Sequence, residues 1–373
     1  MNRIVRYYQT YFLRPSILNG DLACMLSVSV TGRLISAHQK RGVTDMGIGL
    51  SKFLQSRFNI FLYLTFGWNV ARVFIFSLGR LYFYFNKKEK NCIRNALSEV
   101  FGFEREGIDI RGITKKVFDG ILSHYYEKLF IAFEEPKKAT KFLNQNIASE
   151  DLKILYTSLL KGNGVIFVTG HYGAIEYIPT LLAINNFPIS MIAKFKTEQL
   201  KRKVYSQAKK YNIRLIDAED RGNVVRLAMR ELRRNRIVVT ECDEIEEWRP
   251  SAKEKTCFLG KETCLDRTIN VIQKRTGAEI VFGVIHRYNL NKYKLIMYAY
   301  EDMLHVLRTL PHVVPSSPGE TVLKSLEQYI YTNPEQWYQW KNYADVRFSP
   351  SPRANVEIIK PPPLMKPAFS RIS

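Results

Sequence analysis

Residues 164–176 read GVIFVTGHYGAIE. A short apolar run lies here between Gly164 and Gly170, which is typical of a buried strand. Apolar residues with helical spacing follow from residue 174, and Pro179 must lie in the first turn of that helix or kink it. The stretch therefore predicts a buried strand, a tight turn and a helix, the unit from which parallel sheets are built.

The chain on both sides of this stretch extends the same pattern. Residues 89–160 have the apolar spacing of helices, and a last helix is predicted at 321–332. Between them, predicted strands alternate with predicted helices of 10 to 14 residues. The strands are 164–170, 189–194, 213–217, 237–244, 279–287 and 293–301, and the helices are 174–184, 198–211, 223–235 and 266–277. The predicted fold class is α/β, with a largely parallel central sheet flanked by helices.

His171 and Glu176 are the first candidates for catalysis. In parallel sheets, reactive groups collect where a strand ends and a helix begins. On one continuous helix the two side chains would point about 140° apart. With His171 on the turn and Glu176 in the first helical turn, they can meet. One imidazole nitrogen would then donate to the carboxylate, and the other would accept a proton from the hydroxyl of a substrate.

Composition limits the partners of the chain. It has 56 basic and 35 acidic residues, a formal net charge of +21, which suits nucleic acid, an anionic membrane surface or an acidic protein. The basic residues are spread along the chain, and no helix-turn-helix, zinc-finger or RNA-recognition signature is present, so we expect no nucleic-acid partner. Five cysteines without a CxxC pair indicate neither a disulfide framework nor a zinc site, and we expect no bound metal.

Residues 60–85 form the most apolar stretch, which is long enough to cross a bilayer as a helix. The polar residues Thr65, Asn69, Arg72, Arg80 and Lys87 fall on a narrow stripe of that helix. Such a helix suits the surface of an anionic membrane, and the basic segment 86–94 suits lipid headgroups. The alternative is a hairpin of two core helices, broken near 67–69.

We divide the chain into four regions. Residues 1–55 have no clear pattern, and residues 56–88 are the predicted membrane-associating helix. Residues 89–345 are the α/β domain with its helical lead-in. Residues 346–373 are a proline-rich basic tail.

Several motifs together carry a resemblance to a known family. The GVIFVTGHYGAIE stretch resembles the H-x-x-x-x-D/E (HX4E) block of the lysophospholipid acyltransferase superfamily, and it is most similar to the late acyltransferases of lipid A biosynthesis (the lauroyl- and myristoyltransferase-like branch). NPEQWYQWKNY, at 333–343, resembles the C-terminal motif of that branch. Residues 58–102, 230–264 and 275–287 agree with it in order and spacing, so the resemblance covers roughly residues 57–345.

The resemblance implies an acyltransferase without a cofactor or metal, located at the cytoplasmic face of the cell inner membrane. The donor would be a thioester of acyl carrier protein or coenzyme A, and the acceptor a hydroxyl of a membrane lipid or glycolipid. By position, His171 matches the general base and Glu176 its orienting acid, while Asp243 and Arg287 match positions near the acceptor headgroup. Position 244 departs from the family, with Glu in place of the usual Gln.

The remaining candidates have plainer alternatives. We predict that Gly173 and Lys194 contact substrate, although strand-end lysines such as Lys194 and Lys196 are usually only solvated. Asp243 and Glu244 could cap a turn, and Arg287 could be a solvated edge residue. The histidines His124, His286, His305 and His312 are assigned to core or surface, the tryptophans Trp337 and Trp340 to the core, and a thioester on Cys242 is a minor alternative. The competing functions are a non-catalytic lipid-organising membrane protein and a basic nucleic-acid-binding protein.

Overall fold

The computed structural model describes residues 50–54, 56–101, 109–195, 197–218, 224–244, 250–289, 291–310 and 313–345. All of them belong to one compact unit of the chain. The predictions for 1–49 and for the tail, 346–373, lie outside the described residues.

Helices form the first part of the described chain. They are α1 (Leu50–Leu54), α2 (Arg57–Phe66), α3 (Trp68–Phe85), α4 (Lys87–Phe101), α5 (Ile110–Phe133), α6 (Pro136–Asn146) and α7 (Lys153–Leu160). The predicted helical lead-in is thus present. The apolar stretch 60–85 is two helices rather than one, because Gly67 adopts a positive φ of 82° between α2 and α3.

A seven-stranded sheet follows. Its order is β1-β9-β8-β2-β5-β3-β4, and all neighbours are parallel except the antiparallel pair β8 and β9. The strands are β1 (Ile147–Ala148), β2 (Val165–Thr169), β3 (Ile189–Ala193), β4 (Arg214–Asp217), β5 (Ile237–Glu241), β8 (Glu279–Arg287) and β9 (Tyr293–Ala299). The prediction of a mixed α/β fold with a mostly parallel central sheet is confirmed.

Helices cover both faces of this sheet. They are α8 (Ile178–Ile184), α9 (Glu198–Lys210), α10 (Val224–Leu232), α11 (Thr268–Thr276), α12 (Tyr300–Arg308) and α13 (Pro318–Thr332). Every residue of β2 is buried, with Val165 and Phe167 in one core cluster and Ile166 and Val168 in the other. Burial on both faces explains the continuous apolar run by which the sequence marks this strand.

Strand β1, which lies in the region predicted as helices, was not predicted, and neither were a hairpin and a helix farther along the chain. A separate antiparallel hairpin joins β6 (Pro250–Phe258) to β7 (Lys261–Asp266), and α12 begins within the region predicted as the last strand. The turn of the hairpin places Leu259 and Gly260 at positive φ. Leu259 is an unusual residue there, and a hydrogen bond of 2.5 Å from its amide to the Glu327 carboxylate holds it in place.

The α2–α3 pair buries one face and exposes the other. Ala71, Ile75, Gly79 and Phe83 face the domain, and Phe83 stacks on Phe118 with ring centroids 4.1 Å apart. A row of large apolar side chains points outward; this outer face consists of Phe58, Phe61, Leu64, Phe66, Val70, Val73, Leu81, Tyr84 and Phe85. Among the described helices, none is both long and apolar enough to cross a membrane.

The two arginines of the predicted cationic stripe make contacts within the domain, although the Arg80 side chain stays exposed. The Arg72 guanidinium donates to Asn291 (2.7 Å) and lies over the Tyr126 ring, and Arg80 pairs with Asp119 at 3.1 Å. Both arginines therefore join α3 to the domain.

Candidate active site

A cavity of about 410 Å³ lies at the carboxyl ends of β2, β3 and β5. Strand β5 enters the sheet beside β2, so the chain order reverses here, as at the ligand sites of other open α/β sheets. Apolar side chains form most of its wall, with polar groups gathered near β2 and β5. The apolar residues include Ile121, Ile131, Met191, Phe195, Leu200, Val204, Ile213, Leu215, Val225 and Ile269.

His171 lies at the polar end of this cavity and is bound to Asp243. The imidazole Nδ1–H donates to the Asp243 carboxylate at 3.0 Å, and the backbone N–H of His171 lies 3.0 Å from both carboxylate oxygens. The sheet register brings the two residues together, since Thr169 and Glu241 are Cα partners on the parallel strands β2 and β5. Asp243 is fully buried, so this carboxylate fixes the orientation of the ring.

The C-terminal motif forms the other side of this arrangement. The Trp337 indole N–H donates to the second Asp243 oxygen at 2.6 Å, and the backbone of Tyr338 donates to the His171 carbonyl at 3.2 Å. The Tyr338 ring lies edge-on to the His171 ring, with centroids 5.1 Å apart. Trp337 and Trp340 are fully buried, which confirms their assignment to the core. The sequence did not show that Trp337 also holds the acid that orients His171.

Three carboxylates act on the His171 ring. Burial lowers the pKa of His171, but Asp243, Glu241 and Glu244 outweigh this and raise it to about 10. The Nε2 atom lies 3.4 Å from Glu244. Burial raises the pKa of Glu241 to about 7, against the attraction of His171. The polar end of the cavity therefore holds more carboxyl groups than one imidazolium can balance.

Glu176 lines the cavity but does not pair with His171 as predicted. Its carboxylate lies 3.1 Å from the Lys128 ammonium and 3.7 Å from the Nε2 of His124. The place expected for Glu176 at the Nδ1 of His171 is taken by Asp243. The reason is the turn after β2, which ends in a short 3-10 helix at Ile175–Tyr177 and aims Glu176 at α5. Lys128 and His124, both on α5, line the same cavity.

Position 173 requires glycine because a side chain there would collide with the neighbouring backbone. Gly173 adopts a φ of +59°, and a Cβ on it would lie 1.8 Å from the Ile285 carbonyl oxygen. Its N–H donates to the Gln336 carbonyl at 2.9 Å. The predicted substrate contact of Gly173 is thus replaced by close packing of the turn against β8 and the C-terminal motif.

Arg287 also has a different place from the one expected near the headgroup of the acceptor. Its guanidinium binds both oxygens of Glu127, at 2.6 and 2.8 Å, and donates to the Gly173 carbonyl. Glu127 is buried, and neither of the two charged residues lines the cavity. Arg287 therefore positions the turn that carries His171.

The other predicted residues divide between cavity and core. Lys194 is exposed at the cavity wall, as a substrate contact requires, whereas Lys196 lies outside the described residues. Cys242 is buried, and burial raises the pKa of its thiol well above the usual range, which disfavours a thiolate nucleophile. His286 accepts or donates a hydrogen bond at 2.9 Å with the Tyr172 hydroxyl, away from the cavity.

An oriented histidine at the carboxyl edge of a parallel sheet, facing a largely apolar cavity, defines a class of α/β enzymes that carry out acid–base chemistry on apolar substrates. None of the curated proteins matches the chain. A family model described as bacterial lipid A biosynthesis acyltransferase matches residues 53–342. The chain belongs to this family and is an acyltransferase, which confirms the resemblance seen in the sequence.

Proposed function

We propose that this acyltransferase moves a fatty acyl group from an acyl thioester, of acyl carrier protein or coenzyme A, to a hydroxyl of a lipid or glycolipid at the cytoplasmic face of the inner membrane. The observation that carries the proposal is the His171 ring, with Nδ1 bound to Asp243 and Nε2 turned toward an apolar cavity. The cavity suits an acyl chain, and a ring nitrogen that faces it suits a base.

In the proposed reaction, the acceptor hydroxyl takes the place of Glu244 at Nε2. This replacement is required because Nε2 now lies 3.4 Å from Glu244, and the hydroxyl must be at Nε2 to give up its proton. Nε2 then removes the hydroxyl proton as the oxygen attacks the thioester carbonyl carbon. The carbon–sulfur bond breaks, and the thiolate leaves with the proton that His171 has taken. The Asp243 carboxylate stabilises the imidazolium throughout.

The Lys128 ammonium gives the proposed reaction a positive charge at the cavity wall. Glu176 holds this ammonium at 3.1 Å, and Lys128 is about one third exposed. A fixed cation beside the reacting carbonyl would stabilise the oxyanion that forms on it. We therefore assign Glu176 to positioning Lys128, and Asp243 to orienting the base.

The test is transfer of label from an acyl thioester into extracted membrane lipids, with both donor types. We compare wild type with His171→Ala and with a matched control, His305→Ala, because His305 is an exposed residue of α12 outside the cavity. We expect labelled lipid from wild type and control and none from His171→Ala at equal folding. Transfer by His171→Ala would contradict the assignment of the base. No transfer from either donor would contradict the proposed donor and acceptor, and would favour a lipid-organising function.

We further propose that the outer face of α2 and α3 contacts the membrane. Nine of the large apolar side chains that the described residues expose lie on this face, and the exposed Lys87, Lys88 and Lys90 follow at its end. Apolar burial with nearby lysines suits an anionic bilayer surface. We expect Val73→Glu to weaken flotation with anionic vesicles, whereas Leu160→Glu, at a more exposed apolar residue on α7, should not. Equal flotation of the two variants would contradict this assignment.

A further inference from the structure

The cavity side of His171 holds a group of potential metal ligands. The Nε2 of His171 and carboxylate oxygens of Glu241 and Glu244 all lie within 4.8 Å of one another. All three residues line the cavity, so the position between them is reached from the cavity. Three protein ligands with an open fourth position is the arrangement of catalytic zinc sites.

The spacing of two of these atoms already fits a bound ion. A tetrahedral ion with bonds of about 2.1 Å separates its ligand atoms by about 3.4 Å. The distance from His171 Nε2 to Glu244 Oε2 is 3.4 Å. A carboxylate oxygen of Glu241, the last residue of β5, lies within 4.8 Å of both atoms, so Glu241 needs only a small shift toward a bound ion.

The hydrogen bond on the other side of the ring prepares Nε2 as a ligand. Because Nδ1–H donates to Asp243, the neutral ring carries its lone pair on Nε2. Histidines that bind metals usually donate their second N–H to a carboxylate in this way, which raises the basicity of the ligand. The bond from Trp337 to Asp243 completes this outer support.

Charge balance also favours a cation. Metal binding at Nε2 requires a neutral His171, and Glu241 and Glu244 as ionised ligands then carry two negative charges at the edge of a largely apolar cavity. The Lys128 ammonium, at the wall of the same cavity, is paired with Glu176. A divalent ion would make the group of three ligands neutral, and this lowers the cost of keeping two carboxylates together.

An independent observation points to the same place. Thr169 is fully buried, and its hydroxyl has no hydrogen-bond partner among the described residues. Thr169 is the register partner of Glu241, so both side chains project from the same face of the sheet, and both line the cavity. A buried hydroxyl is rarely left without a partner, and water bound to an ion beside Glu241 would supply one.

We propose that His171, Glu241 and Glu244 bind one divalent transition-metal ion, of the Zn²⁺ type, on the cavity face of the His171 ring. One imidazole and two carboxylates are borderline to hard ligands, and such a set suits an ion of the Zn²⁺ type. It suits Mg²⁺ less well, because Mg²⁺ prefers oxygen ligands and water. The ion occupies Nε2, where the acceptor hydroxyl is proposed to bind. It is therefore an inhibitor of acyl transfer; this last statement alone rests on the proposed function.

The experiment measures Zn²⁺ binding by the chelator-treated full chain, in competition with a chromophoric zinc indicator. The variants are His171→Ala, Glu241→Gln and Glu244→Gln. Glu176→Gln is the matched control, because it removes a carboxylate of the same cavity that lies outside the ligand group. We expect one ion per wild-type and control chain, and affinity lowered at least tenfold to 100-fold in the three ligand variants.

Two outcomes would overturn the site. One is the absence of stoichiometric Zn²⁺ binding by the wild type. The other is binding that all three ligand variants retain, which would place the ion elsewhere, for instance on cysteines. Inhibition is measured separately: transfer by the wild type should fall as the site fills and return with chelator. Zn²⁺ bound without any loss of transfer would overturn the inhibitory role but leave the site, whereas a chain without measurable transfer would count against the proposed function only.

Discussion

Two groups of charged and polar residues flank Gly173, and only one of them reaches the cavity. The open cluster consists of His171, Asp243 and Trp337, and the closed cluster of Arg287, Glu127 and the Gly173 carbonyl. Both bury a carboxylate and satisfy both of its oxygens. In the open cluster the carboxylate binds the His171 imidazole, whose second nitrogen faces the cavity. In the closed cluster the carboxylate binds the Arg287 guanidinium, which makes its hydrogen bonds within the protein and does not line the cavity.

The difference shows how similar pairs can have different uses. A buried pair without access to substrate can only stabilise or position, and burying it has a high desolvation cost. A pair with one exposed edge can transfer a proton. The closed cluster holds the turn on which the open cluster depends, since Arg287 binds the carbonyl two residues after His171.

The largest effect is expected from Asp243→Asn in the open cluster. An amide can still pair with the ring but cannot stabilise the imidazolium, and it can hold the wrong tautomer. We expect kcat to fall by about 10³- to 10⁴-fold, as for the equivalent change in other histidine–aspartate pairs. Steady-state transfer assays measure this, with circular dichroism to check folding. A loss smaller than tenfold would mean that Asp243 is not the residue that orients the base.

Arg287→Met should have the next largest effect, on stability. It leaves the Glu127 carboxylate buried without its partner, which costs about 3–5 kcal/mol of the free energy of unfolding. The double variant Arg287→Met, Glu127→Leu should recover most of this loss, because a buried pair replaced by apolar residues is often neutral. Urea unfolding measures both. If the double variant is no more stable than the single one, the loss of stability does not come from the unpaired Glu127 carboxylate. It then comes from another contact of Arg287, such as its bond to the Gly173 carbonyl.

Trp337→Phe tests the support of the open cluster. It removes the 2.6 Å hydrogen bond to Asp243, and we expect kcat to fall roughly 10- to 100-fold. Trp340→Phe is the matched control from the same motif, because its indole donates at 2.7 Å to the Pro334 carbonyl and not to Asp243. Both variants should lose some stability, but only the first should lose most of its activity. Equal loss of kcat in the two would assign the effect to packing.

Glu176→Gln should have the smallest effect, a loss of about fivefold in kcat. The Lys128 ammonium loses an ion pair worth about 1 kcal/mol at this partly exposed position, while His171 keeps Asp243. The measurement is kcat beside that of Asp243→Asn. A loss as large as that of Asp243→Asn would mean that Glu176 acts directly on His171 during turnover, as the sequence spacing first suggested.

The sequence was sufficient for elements that are marked locally. The buried strand 165–169, its glycine-flanked turn and most of the other strands follow from apolar runs and their breaks. The hairpin of β6 and β7 was missed because its turn, Leu259–Gly260, lacks the usual Asn-Gly signal and depends on a distant carboxylate, Glu327.

Local patterns were also sufficient to find some residues of the candidate site, but not the contacts between them. His171 and Asp243 were both found at strand ends, but no local pattern places β5 beside β2, so their contact could not be seen. Glu176 was chosen as the partner because it is near in sequence, and the 3-10 turn at Ile175–Tyr177 directs it elsewhere. Lys128, on α5, had no signal of its own.

The support of Asp243 by Trp337 also bears on how the chain folds as it is made. Residues 171 and 337 are 166 positions apart, and synthesis at about 5–20 residues per second separates their appearance by roughly 8–33 s. Until then the turn carrying His171 has no backing from residues 336–338. A growing chain therefore has His171 long before the candidate active site is complete, and that site forms only when the C-terminal motif emerges.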